Sequence, residues 1–122
     1  MDTTTGLILF GHGARDPRWR EPFDRLAALV AESHPGPVSL AFLEMMSPDL
    51  QAACRSLVEC GAQRVVVVPL FLAAGGHLRK DLPVMLESAR EAVGVPVTAA
   101  EAIGEDSQVR AALADYCLRC VS

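Results

Sequence analysis

The stretch Val65-Val66-Val67-Val68-Pro69-Leu70-Phe71 constrains the fold more than any other part of the chain. Consecutive β-branched apolar residues leave no polar face, so this strand is expected to be covered on both sides, as in a parallel sheet. A second uninterrupted run, Leu7-Ile8-Leu9-Phe10, has the same character. Each run opens onto glycines and then one imidazole: Gly11-His12-Gly13 after the first, Gly75-Gly76-His77 after the second. Histidine binds divalent metals and exchanges protons near neutral pH. The chain has 3 histidines, and two of them occupy equivalent strand-to-loop junctions.

Around these runs the pattern alternates strand and helix four times. Strands are expected at about Gly6–Phe10, Val38–Phe42, Val65–Leu70 and Val95–Ala99. The helix after the first strand spans about Glu21–Ser33, with Phe23, Leu26, Leu29 and Val30 at helical spacing and His34-Pro35-Gly36-Pro37 as its stop. The next opens with Ser47 as N-cap and Pro48 at the first helical position, and runs to Cys60 before Gly61. A third covers about Arg79–Val93, with an irregular start near Pro83 and Gly94 as its end. Ser107 caps a last helix reaching about Cys120. Alternating βαβα with short connections implies one α/β doubly wound, flavodoxin-like domain over residues 1–122, with a four-stranded parallel sheet in the order 2-1-3-4.

In such sheets ligands bind beyond the carboxyl ends of the strands, near the point where strand order reverses. His12 follows the first strand, His77 the third, and Glu44 the second. Three metal-capable side chains from three loops therefore share one sheet edge. Arg15, Arg18, Arg79 and Lys80 lie in or beside the histidine loops, and suit an anionic ligand whose carboxylates arginine can grip bidentately. The bland alternative is a solvated surface paired with Asp16, Asp81 and Glu21. Met45 and Met46 are read either as lining for a flat apolar ligand or as plain core. His34, at a helix C-terminus, is read as structural.

Composition narrows the classes. A net charge of -4 argues against nucleic acid. No apolar run approaches the roughly 18 residues of a membrane span. Met1-Asp2-Thr3-Thr4-Thr5 has no basic region like that of a secretory leader, so a cytoplasmic location is expected. The 4 cysteines are then expected to be reduced. Cys117-Leu118-Arg119-Cys120 is nominally a CxxC pair, but it ends a helix rather than following a strand, and is read as inert. No GxGxxG or GxxxxGK[ST] nucleotide loop occurs.

Three stretches together resemble the sirohydrochlorin chelatases of the CbiX type, in their short form. They are Gly11-His12-Gly13-Ala14-Arg15-Asp16-Pro17, then Phe42-Leu43-Glu44 with Ser47-Pro48, then Val67 to Leu72 with Gly75-Gly76-His77-Leu78-Arg79-Lys80-Asp81-Leu82-Pro83. The resemblance covers residues 6 to about 100 well and the last helix weakly. It implies insertion of a divalent metal, cobalt first, with iron or nickel as alternatives, into a tetrapyrrole in cobalamin or siroheme biosynthesis. His12 and His77 would be metal-binding and catalytic, with Glu44 assisting, and no organic cofactor is needed. Ala14 stands where the family usually has a serine, and the Cys117/Cys120 pair is not part of the general pattern.

The chemistry fits these residue types independently. Insertion removes two pyrrole protons and strips water from the ion; a neutral imidazole can ligate the ion or accept a proton. Imidazole and carboxylate together suit cobalt, iron and nickel. Two other classes stay open here: a non-catalytic metal or tetrapyrrole carrier, and a histidine-phosphatase-like hydrolase, weakened because Gly11 precedes His12 where that family has arginine. A single lobe leaves a large flat ligand open on one face, so a homodimer is expected, with Leu72, Leu78, Met45 and Met46 as contact candidates.

Overall fold

The computed structural model describes residues 1–122. The strands are β1 (Thr5–Gly11), β2 (Val38–Phe42), β3 (Arg64–Pro69) and β4 (Val97–Ala99). The helices are α1 (Glu21–Ser33), α2 (Leu50–Glu59), α3 (Gly76–Val93) and α4 (Ser107–Arg119). Short 3-10 turns at Pro17–Arg20 and Ile103–Glu105 precede α1 and α4. The sheet is parallel throughout, in the order β2-β1-β3-β4, which bears out the expected fold class and strand order. Leu7 stands opposite Val38 on one side and Val66 on the other. No helix is long and apolar enough to cross a membrane.

Strand alternation divides the core in two. Ile8, Phe10, Val65, Val67 and Val97 point to one face, where they meet Leu50, Ala53, Cys54 and Leu57 of α2 and Leu78, Leu86 and Ala89 of α3. Leu9, Leu40 and Phe42 point to the other, against Phe23, Leu26 and Val30 of α1 and against Trp19. Trp19, Phe23 and Phe42 stack into one aromatic group, with 4.3 Å between the rings of the first two. On this second face α1 lies over β2 and β1, and no helix packs over β3 and β4. Nor does α4 fill that space: none of its residues is buried.

Three helix starts differ from the sequence expectation, each for a local reason. Asp49, not Ser47, caps α2, because its carboxylate accepts the Ala52 N–H at 2.9 Å. Pro48 instead gives its carbonyl to the Phe42 N–H at 2.9 Å, so it backs onto β2. α4 is capped by Asp106, whose carboxylate accepts from Gln108 and Val109, with Ser107 already helical. α3 begins at Gly76 and carries Pro83 in its interior. Proline there removes one backbone bond, and the helix continues through it. Removing the α2 cap with Asp49→Ala should cost about 1 kcal/mol, read as a lower urea midpoint with an unchanged m-value.

The cysteines divide sharply. Cys54 is fully enclosed between α2 and the sheet, and burial pushes its thiol up to about 11. Cys60, Cys117 and Cys120 are exposed and free. An alkylating reagent at pH 8 should therefore modify three thiols quickly and Cys54 only on unfolding, because the thiolate is the reactive form. Mass spectrometry of native and urea-treated protein checks this; fast native labelling of Cys54 would mean that α2 opens readily.

Candidate functional site

His12 leaves the end of β1 on a loop held by β2. The Leu43 N–H donates to the Gly11 carbonyl at 2.9 Å and the Glu44 N–H to the His12 carbonyl at 3.1 Å, so the loops run side by side past the sheet edge. The approach is close enough to require glycine at 13. Its φ is +93°, and a Cβ there would lie 1.8 Å from the Glu44 carbonyl oxygen. This closeness carries Glu44 to His12: its Oε1 is 3.6 Å from the imidazole Nε2.

The imidazole has a defined orientation. Nδ1 lies 3.2 Å from the Gly13 carbonyl, which can only accept; in the neutral ring this contact favours the proton on Nδ1 and leaves Nε2 as the ligating nitrogen. Phe71 stands edge-on to the ring at 6.5 Å, and itself packs edge-on to Phe10 of the core at 6.2 Å. An apolar wall thus links the histidine to the sheet.

His77 lies in the first turn of α3 rather than in the preceding loop. Residues four apart share a helix face, and this sets its Nε2 3.5 Å from Oδ2 of Asp81. His12, His77 and Asp81 line one pocket of about 200 Å³, with Leu43, Phe71 and Leu78 among its apolar walls. Side-chain exposure is 54% for His12 and 96% for His77, so a large ligand can reach both. Exposed imidazole–carboxylate contacts of this kind add little to stability; their interest is chemical. No three His, Cys, Asp or Glu side chains converge into a closed metal cluster. Donors that close only part of a coordination sphere suit a metal that must be passed on.

The cations do not gather at this pocket. Arg18 is gripped by Asp16, with Nη2 to Oδ2 at 2.9 Å, and the same pairing holds the Asp16 carboxyl below its ordinary value. Arg79 lines an adjoining groove of about 260 Å³ with Leu82, Glu101 and Glu105. Arg15 is exposed in the loop after His12, and Lys80 is exposed near the start of α3. Met45 is exposed, while Met46 packs against the α1 side of the core. His34 is at the far end of the sheet, where its Nε2–H donates to the Thr5 carbonyl at 2.8 Å, a structural role.

The CbiX family model matches residues 6–119. The chain belongs to the CbiX family. Over 81 residues it is 38% identical to the sirohydrochlorin cobaltochelatase of Methanopyrus kandleri, a match covering 66% of this CbiX chain and 57% of that protein. The chain thus spans a little over half the length of that curated relative. A crystal structure of the CbiX protein of Marinobacter aquaeolei superposes with a TM-score of 0.86 at 37% identity, covering 96% of this chain and 97% of that one. The sirohydrochlorin chelatase SirB of Bacillus subtilis, in complex with cobalt, shares the fold at a TM-score of 0.74 and 24% identity; 84% of this chain matches 45% of that one.

Asp81 and Phe71 escaped the sequence reading. The signal for Asp81 was present as an i, i+4 spacing from His77, but it has meaning only if the helix starts before His77. Phe71 was visible only as part of an apolar run.

Proposed function

We propose that this CbiX chain inserts a divalent metal, cobalt first, into sirohydrochlorin, as a cytoplasmic lyase serving cobalamin or siroheme formation. The observation that carries the reading is the convergence of His12 and His77 on one open pocket at the carboxyl edge of β1 and β3. The cobaltochelatase name of a relative at 38% identity supports the choice of metal and macrocycle.

The residues divide the work. The free Nε2 of His12 offers the incoming ion a neutral ligand, and Glu44 beside it accepts a proton or balances the charge. His77 approaches the same space from α3, with Asp81 ready to take up a proton that the imidazole receives. Two pyrrole protons must leave, and two imidazole–carboxylate pairs are at hand. Phe71 and Leu43 give the macrocycle an apolar surface. Arg15, Arg79 and Lys80 are placed to meet its carboxylates from outside the pocket, with Arg18 already shared with Asp16. No organic cofactor takes part. The pocket covers only one face of a flat ligand, so we assign the working unit as a homodimer.

Turnover tests the reading. Sirohydrochlorin in excess over protein, with Co²⁺, should show the spectral change of metallation continuing through many equivalents. A change that stops at one equivalent per chain would mean a carrier. In the same assay Arg79→Ala should raise KM several-fold with kcat nearly unchanged, since a carboxylate grip is made equally in ground and transition states.

A further inference from the structure

Met45 is the one residue other than glycine whose backbone takes a positive φ, +66°. The turn around it is of the three-residue kind: the Met46 N–H donates to the Glu44 carbonyl, two residues back, at 2.8 Å. A turn closed this way about a positive central φ is rare and strained for any residue with a Cβ. Glycine is what such a position favours. The side chain gains nothing from the fold in return. It packs against neither half of the core and is 57% exposed. A long apolar residue thus stands where the backbone favours glycine and where water favours a polar group.

The surroundings hold this turn from both ends. On one side the Glu44 N–H is bonded to the His12 carbonyl, and Gly13 admits the Glu44 carbonyl by having no Cβ. On the other, Arg20 reaches over from the end of the 3-10 turn Pro17–Arg20. Its Nη1–H donates to the Ser47 carbonyl at 2.6 Å, its guanidinium lies over the Phe42 ring at 5.0 Å, and its Nε–H donates to Oδ1 of Asp24 at 3.2 Å. A strained residue persists only where its surroundings over-determine it, and such residues cluster at functional sites. This one adjoins Glu44, whose carboxylate is 3.6 Å from the His12 imidazole.

We propose that Met45 is a binding residue for the tetrapyrrole, the apolar rim on the β2 side on which the macrocycle rests beyond the metal pocket. The proposal rests on the chelatase reading above and extends its site by one residue. The pocket shared by His12 and His77 measures about 200 Å³. Sites for drug-sized ligands occupy about 300–1,000 Å³. A macrocycle centred over the histidines therefore spreads past the pocket walls onto the neighbouring loops. Leu43 and Phe71 already line the pocket, and the first apolar side chain past Glu44 is Met45. An unbranched, flexible thioether adapts to the irregular edge of a substituted ring. Covering it removes from water the apolar area that the free chain leaves exposed. That contact is the same before and after the metal enters, so it acts on affinity rather than on the insertion step.

The test is equilibrium binding of metal-free sirohydrochlorin, followed by its absorbance during titration with protein, beside thermal melts of the same variants. Met45→Gln keeps the length and the backbone penalty and removes only the apolar contact. It should raise Kd about tenfold with an unchanged melting temperature. Met45→Leu restores apolar volume and should bind within about threefold of the original chain. Met45→Gly should split the two properties by sign: binding weakens as in Met45→Gln, while the melting temperature holds or rises because the turn is relieved. Wild-type Kd in Met45→Gln overturns the proposal. So does a Met45→Gln protein that melts several degrees lower, since the side chain would then be serving the fold. Weakened binding accompanied by a change of mass in sedimentation equilibrium would place Met45 in a contact between copies and also overturns it. A wild-type chain that fails to bind sirohydrochlorin at all removes the chelatase reading itself.

Discussion

Changing His12 or His77 to alanine should lower the rate of cobalt insertion by roughly 10²–10⁴-fold, the range expected for loss of a group that handles protons or binds the reacting centre. The two losses should not add: the double variant should be little worse than the poorer single variant, because ligands that act as a unit fail as a unit. Stability should hardly move. Both imidazoles are exposed and neither takes part in the core, and surface changes of this kind stay within about 0.5 kcal/mol. Circular dichroism and thermal melts separate the two effects. A variant with near-wild-type insertion would take that histidine out of the mechanism, whatever its place in the pocket.

Gly13→Ala is expected to damage fold and site together. The backbone there is left-handed at φ +93°, which costs a residue with a Cβ about 1–2 kcal/mol. The overlap with the Glu44 carbonyl oxygen, 1.8 Å from the added carbon, is worse, since it involves backbone rather than a movable side chain. The β1 and β2 loops must part, and Glu44 moves off His12. Each kcal/mol lost lowers the melting temperature of a domain this size by about 4 °C. A displacement of about 1 Å at a catalytic group can cost 10²-fold in rate. Gly76→Ala is the control: it lies outside the pocket lining and a Cβ there meets nothing within 4 Å, so both properties should stay near wild type. A Gly13→Ala protein that melts and turns over normally would show that the loops are not packed as described.

The parts of this picture that could be read from sequence are those written in local pattern. The apolar runs of β1 and β3 state that they are central, and alternation with helices leaves few strand orders. His12 and His77 could be placed on one edge because both follow such strands. Helix starts were harder, since neighbouring residues compete for the same role. Asp49 outcompetes Ser47 as a cap by reaching the Ala52 N–H, and a glycine pair reads as loop even where it opens α3. That single misplacement hid the His77–Asp81 pair, whose spacing matters only within a helix. Arg18 shows the reverse case: its partner Asp16 is two residues away, and pattern alone could not decide between that pairing and a ligand. The exposure of α4 was illegible because burial is settled between elements.

The central claim is that the metal is met by His12 and His77, and the 3 histidines allow a direct reading. Imidazole NMR signals followed during titration with paramagnetic Co²⁺ should show two resonances, assigned through the alanine variants to His12 and His77, shifting and broadening first. The His34 resonance, its ring tied to the Thr5 carbonyl at the far end of the sheet, should stay sharp. Broadening of His34 alone, or of neither His12 nor His77, would contradict the account.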